Sequence, residues 1–176
     1  MPALLNHIDP NGLEEFSVVF TDRSLNHMSK EFQKVMCDLS SNLKEVYNAN
    51  AVVLVPGGGT FAMEAVARQF GIEANVMVIR NGWFSYRWSQ IFESSSNARS
   101  TTVLKARMIG NEPLAPFRPA EVDEVIQKIK ADKPDIVFAP HVETSAGVIL
   151  PDDYIKKVGA AAHDIGALMV LDCIAS

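Results

Sequence analysis

Residues 170–176, Val-Leu-Asp-Cys-Ile-Ala-Ser, put one carboxylate, Asp172, at the end of an apolar run. An acid in that place can pair with a ligand's protonated ring nitrogen. A second chemistry-bearing stretch, Pro56-Gly57-Gly58-Gly59-Thr60, follows one apolar run and opens a helical pattern. Without Cβ atoms its backbone N–H groups can approach an anion, the helix start adds partial positive charge, and the Thr60 hydroxyl adds a donor, so the loop suits a phosphate. A strand-to-helix turn that binds nothing would use the same glycines. Gly57-x-Gly59-x-x-Ala62 also fits a relaxed dinucleotide fingerprint, but Arg80 stands where such a fold wants an acid for the ribose hydroxyls. An NADP preference would account for Arg80 and leave Asp172 without a role. No Gly-Lys-Ser or Gly-Lys-Thr follows the glycines, which excludes a Walker loop.

Two further loops carry candidates. Residues 81–88, Asn-Gly-Trp-Phe-Ser-Tyr-Arg-Trp, are the densest aromatic stretch; Trp83 and Phe84 are placed to stack on a flat heterocycle, and Trp88 reads as core. Residues 141–147, His-Val-Glu-Thr-Ser-Ala-Gly, offer an imidazole, a carboxylate and two hydroxyls. His141 and Glu143 lack the His-x-x-x-His spacing of zinc hydrolases, and neither hydroxyl sits in a Gly-x-Ser-x-Gly elbow, so hydrogen bonding to a ligand is the expected role. No metal site is expected. His7, His27 and His163 are scattered, the last on a helix surface. Cys37 and Cys173 have neither the number nor the spacing of a disulfide framework or zinc site and read as reduced packing residues.

The elements that position these loops follow from periodicity. Phe32, Val35, Met36, Leu39, Leu43 and Val46 recur at helical steps, predicting a helix over 29–47. The short β-branched runs 51–55 and 76–79 predict buried parallel strands, joined by a helix over 60–70 that Gly71 closes as a left-handed cap. A weaker strand is expected at 100–104, then a Pro- and Gly-bearing loop over 110–119. A helix over 120–131 should be stopped by Lys133-Pro134 and followed by a strand at 136–139. Asp152 or Asp153 can cap a helix to about 165, with another strand at 167–171. Alternation of this kind predicts a three-layer α/β/α fold with a mostly parallel sheet and ligands at the carboxyl ends of its strands.

With 176 residues, 48% of them hydrophobic, the chain can bury a substantial core. A net charge of -5 with interspersed signs argues against binding a nucleic-acid backbone or a membrane surface. No apolar stretch approaches the roughly 20 residues of a membrane span, and the opening Met1-Pro2-Ala3-Leu4 lacks the features of a signal peptide. A small-molecule partner and a cytoplasmic location are expected.

Together these stretches resemble the class V aminotransferases of fold type I, such as the alanine–glyoxylate and serine–pyruvate enzymes. The likeness runs over 25–176. Asn26-His27-Met28-Ser29 is similar to the family's opening motif, Gly58-Gly59-Thr60 to its phosphate loop, and Asn81-Gly82-Trp83-Phe84 to the loop with the stacking aromatic. Glu143-Thr144-Ser145-Ala146-Gly147 is similar to its Glu-Thr/Ser-Ser-x-Gly stretch, and Asp172-Cys173-Ile174-Ala175-Ser176 stands where the family has Asp-Ala-Val-Ser-Ser.

The resemblance implies pyridoxal 5′-phosphate as cofactor, transamination between a small amino acid and a 2-oxo acid, and a homodimer. It implies that Gly58, Gly59 and Thr60 hold the phosphate. Phe84 and Ile174 would pack on opposite ring faces, Thr144 would approach the phenolic oxygen, and catalytic Asp172 would hold the ring nitrogen's proton. It divides the chain into an N-terminal arm, 1–24, and part of a cofactor-binding large domain, 25–176. The lysine that bonds the cofactor, and the arginine that clamps a substrate carboxylate, are then expected beyond Ser176. Lys156 and Lys157 lie on a predicted helix and are expected to be solvated. A non-catalytic paralogue that folds on a partner chain is the other reading of the missing lysine. The family's usual Pro-Gly-Pro opening is replaced here by Asp9-Pro10-Asn11-Gly12.

Overall fold

The computed structural model describes residues 15–17, 23–25 and 30–176, so the Asn26-His27-Met28-Ser29 motif and His7 lie outside the described residues. Two compact units divide the chain, Met1–Val55 and Pro56–Ser176. In the first, strands β1 (Glu15–Ser17) and β2 (Arg23–Leu25) pair antiparallel, and the periodic run forms helix α1 (Lys30–Tyr47). Residues 51–55 form no strand, contrary to expectation. An apolar β-branched run becomes a buried strand only where a neighbour pairs with it, and Val53 is 82% exposed. The expected first βαβ unit therefore lacks its opening strand.

The second unit follows the predicted alternation except that residues 83–95, expected as an aromatic loop, form a helix. It comprises α2 (Gly59–Phe70), β3 (Asn75–Arg80), α3 (Trp83–Ser95), β4 (Ser100–Lys105), the pair β5 (Arg107–Met108) and β6 (Phe117–Arg118), and α4 (Val122–Asp132). After these come β7 (Ile136–Pro140), the pair β8 (Val142–Glu143) and β9 (Val148–Ile149), α5 (Asp152–Asp164) and β10 (Leu168–Asp172). The four longer strands form one parallel sheet in the order β10-β7-β3-β4. Alternate residues along each strand face opposite layers. Met77, Ile79, Val137 and Ala139 pack against Val125 and Ile129 of α4 and Val158 of α5. Val76, Val78, Ile136 and Phe138 pack against Met63 of α2 and Trp88 and Phe92 of α3. Trp88 is core as expected, its ring centroid 4.4 Å from that of Phe138. The three layers hold the β3, β7 and β10 carboxyl ends side by side.

Several local readings are corrected. Gly71 caps α2 with φ -100°, not in the left-handed region; its lack of a side chain makes room for the Phe92 ring instead. Pro151 is the N-cap of α5, and Asp152 and Asp153 fall in the first turn, where acids complement the helix dipole. Both cysteines are free and exposed rather than packed. Among the described residues no helix is long and apolar enough to cross a membrane.

Lys133 does stop α4, in the left-handed conformation at φ 46°. A residue with Cβ is strained there by roughly 1 kcal/mol. Lys133→Gly is expected to raise stability by up to about 0.5 kcal/mol, because relief of that strain slightly exceeds the added unfolded-state freedom. Denaturant unfolding checks it, and a lower midpoint for the variant would refute the strain argument.

Candidate functional site

A cavity of about 230 Å³ opens where β3, β7 and β10 end. Its walls include Gly59 and Thr60 from the start of α2, Phe84 from α3, Thr144 after β8, and Asp172 and Ile174 at the end of β10. Six of the seven expected site residues thus surround one space. The seventh, Gly58, is the N-cap of α2 and does not line it.

The glycine loop is shaped by two constraints. Gly57 has φ 133°, which an L side chain rarely adopts, and a Cβ there would press on the Phe61 ring. At Gly59 a Cβ would collide with the side chain of Ile174, so the absence of one lets Ile174 close over the loop. No side chain caps α2 and no acid lies in its first turn. The orphan N–H groups of its first turn therefore remain an anion-binding feature.

The start of α3 is closed in the opposite way, by Glu143. This side chain is 0% exposed. One carboxylate oxygen accepts the Phe84 N–H at 3.1 Å and the Ser145 hydroxyl at 2.5 Å; the other accepts the Ser85 N–H at 2.8 Å and the Ser85 hydroxyl at 2.6 Å. Ser145 Oγ in turn accepts the Trp83 N–H at 2.8 Å. Burial alone would raise the carboxyl's pKa, but the bonds from Ser145, Ser85 and Phe84 outweigh it and hold the group below its ordinary value. The expectation that Glu143 hydrogen-bonds a ligand is corrected: its acceptor capacity is spent on the helix that carries Phe84. Gly82 is needed for the same reason, since a Cβ would meet Ser145 Oγ and the Glu143 carboxyl.

Phe84 is half exposed at 49% and faces the cavity, while Trp83 lies off it. Asp172 Oδ1 accepts the Ile174 N–H at 3.2 Å, and its main-chain oxygen accepts the His141 N–H at 2.8 Å. Arg80, the residue that invited a dinucleotide reading, has its guanidinium 4.9 Å from the centre of the Tyr86 ring and reaches Ser89 Oγ at 3.5 Å. It does not line this cavity. Lys156, Lys157 and His163 are exposed on α5, as expected. Among the described residues no group of three or more His, Cys, Asp or Glu could hold a metal ion.

The family model for class-V aminotransferases matches residues 14–176. The chain belongs to the class-V aminotransferase family. A Helicobacter pylori uncharacterized aminotransferase is 26% identical over 92% of this chain and 41% of its own length. The alanine–glyoxylate aminotransferase of Rattus norvegicus is 27% identical over 88% of this chain and 35% of its own. Among solved structures, ureidoglycine–glyoxylate aminotransferase from Bacillus subtilis superposes with a TM-score of 0.70 at 25% identity, covering 85% of this chain and 36% of that one. This class-V chain thus spans about two-fifths of the length of such relatives.

The walls suit a small flat ring bearing a phosphate and a basic nitrogen. An uncapped helix start stands for the anion, an aromatic face and an aliphatic side chain for the ring, and a carboxylate for the nitrogen. The volume lies below the roughly 300–1,000 Å³ usual for drug-sized ligands, which favours a single ring over a dinucleotide. Sequence reasoning passed over two residues in this class-V site. Ser85 is a fully buried hydroxyl whose role depends on a carboxylate far along the chain. Arg87 lines the cavity one helical turn after Phe84, and that three-residue step was the available signal.

Proposed function

We propose that this chain supplies the cofactor-holding part of a pyridoxal 5′-phosphate-dependent transaminase that exchanges the amino group of a small amino acid with a 2-oxo acid. One observation carries the reading. Asp172, Phe84, Ile174, Thr144 and the uncapped Gly59-Thr60 helix start meet at one cavity within a class-V chain. Pyridoxal phosphate, when bound, supplies an electron sink for the carbanion left when an amino substrate loses its α-proton.

The chain's own residues then have distinct tasks. The α2 N–H groups and the Thr60 hydroxyl hold the phosphate. Phe84 and Ile174, both lining the cavity, would pack against the ring and exclude water. The Thr144 hydroxyl would donate to the phenolic oxygen, and Asp172 would keep the proton on the ring nitrogen. None of the cavity-lining residues is a lysine. We assign the covalent attachment and proton shuttle to a lysine outside residues 1–176, and amino-acid and oxo-acid turnover to the polypeptide that carries it. The names of the relatives favour alanine or a similarly small donor and glyoxylate as acceptor.

The reading is tested on the 176-residue chain by thermal unfolding with pyridoxamine 5′-phosphate, which needs no covalent bond, and with NADPH. A ligand at about 100 times its dissociation constant stabilises by about 2.7 kcal/mol. Stabilisation by the vitamer alone is expected. Protection by NADPH and not by the vitamer would reverse the assignment. The same chain should turn over alanine with glyoxylate no faster than free cofactor, since a positioned base contributes roughly 10²–10⁴-fold. Turnover above that background would refute the placement of the lysine.

A further inference from the structure

We infer that Arg87 is the cationic ligand of the phosphate in this cavity, a role that neither the glycine loop nor the family motifs assign. The inference rests on the reading of the cavity as a pyridoxal-phosphate site. Arg87 is the one cation among the residues lining the cavity. It sits three positions after Phe84 on α3, so ring and guanidinium project from the same helical face. Its Nη1 donates to Thr60 Oγ1 at 3.4 Å, which places it at the start of α2 where the phosphate is held.

Two features make this more than a surface contact. A guanidinium has five N–H donors, and among the described residues Arg87 makes no ion pair and no hydrogen bond besides the one to Thr60. The cations that do form ion pairs, such as Arg68 with Glu64 and Arg107 with Glu124, lie elsewhere. Arg87 thus keeps four donors for an incoming acceptor, in a fork that matches the oxygens of a phosphate. Because the Thr60 oxygen accepts from Arg87, its hydroxyl proton is left to donate to the same ligand. The α2 helix start supplies only partial charge, roughly half a unit, against the -1.5 to -2 of a phosphate monoester near neutral pH. A full cation beside it supplies what the loop lacks.

The experiment compares pyridoxamine 5′-phosphate with pyridoxamine, which shares the ring and lacks the phosphate, by calorimetric titration of the full 176-residue chain. Wild type should prefer the phosphorylated form. Arg87→Met keeps an unbranched stem of similar length, and it should cut that preference by about tenfold or more while leaving pyridoxamine affinity unchanged, since charge-assisted phosphate bonds are about twice as strong as neutral ones. Arg87→Lys should recover part of the preference. Wild-type affinity should also rise with pH as the phosphate loses its second proton near about 6, and that rise should flatten in Arg87→Met. Equal losses for both vitamers, or an unchanged preference, would overturn the assignment of Arg87 alone. Wild type that binds neither vitamer would overturn the cavity reading and the assignment with it.

Discussion

Asp172→Asn, in the polypeptide that also carries the lysine, is expected to slow α-proton removal about ten- to a hundredfold, since each 1.4 kcal/mol of barrier is tenfold in rate. The energy at stake is the charge-assisted hydrogen bond by which Asp172 would keep a proton on the ring nitrogen, worth about 1.5–3 kcal/mol. The structure explains why folding should survive. Asp172 Oδ1 accepts the Ile174 N–H at 3.2 Å, and an asparagine carbonyl can accept the same bond. The phosphate loop and the Phe84 face are untouched, so the vitamer should still bind. Single-turnover rates with a saturating amino donor, measured beside vitamer affinity and unfolding midpoint, separate chemistry from binding and stability. If Asp172 serves only as a strand-end cap, the rate will stay near wild type and stability alone will change, and the residue then leaves the catalytic list.

What was legible in the sequence was whatever depends on near neighbours. The alternation of apolar runs with helical periods predicted β3, β7, β10 and the helices α2, α4 and α5, because parallel strands buried on both faces leave continuous apolar runs, but it read the start of α3 as an aromatic loop. The same logic misread 51–55, since an apolar run says nothing about whether a partner strand is present. At the site, glycines before a helix and an acid after a strand could be recognised from local order. The carboxylate of Glu143 could not be assigned, because its partners are the amides of Phe84 and Ser85, 59 and 58 positions away. From the linear order Glu143 and Ser145 looked like ligand contacts beside Thr144. Only the parallel register of β3 with β7, Val78 opposite Phe138, brings their loops together. That register turns two loops read separately into one clasp.

Glu143 is accordingly a polar residue whose loss should cost substantial stability. Glu143→Leu removes the acceptor for two backbone N–H groups, one buried and one partly buried, and two hydroxyls at once. The hydroxyls can rotate toward other partners, whereas the Phe84 and Ser85 amides cannot. At about 1–3 kcal/mol for each buried donor left unpaired, a loss of about 2 kcal/mol or more is expected in denaturant unfolding. Glu143→Gln is milder and more diagnostic. Its amide offers one oxygen where the carboxylate offered two, so one of the two N–H groups loses its acceptor, and about 1–3 kcal/mol should be lost at pH 7. The sign of the pH dependence follows from the lowered pKa. A carboxyl held below its ordinary value of 4.5 adds stability that is fully present above that value and lost as pH falls through the folded-state value. The wild-type advantage over Glu143→Gln should thus be flat from about pH 6 to 8 and shrink in acid, where the protonated acid and the amide become nearly equivalent. Amide hydrogen exchange gives a second, local readout: in Glu143→Gln the Phe84 and Ser85 amides should lose protection beyond the global change, because the cap and not only the fold is weakened. A gap between the two proteins that persists undiminished below the folded-state pKa would show that the charge of Glu143 contributes nothing, and that its shape alone holds the aromatic loop in place.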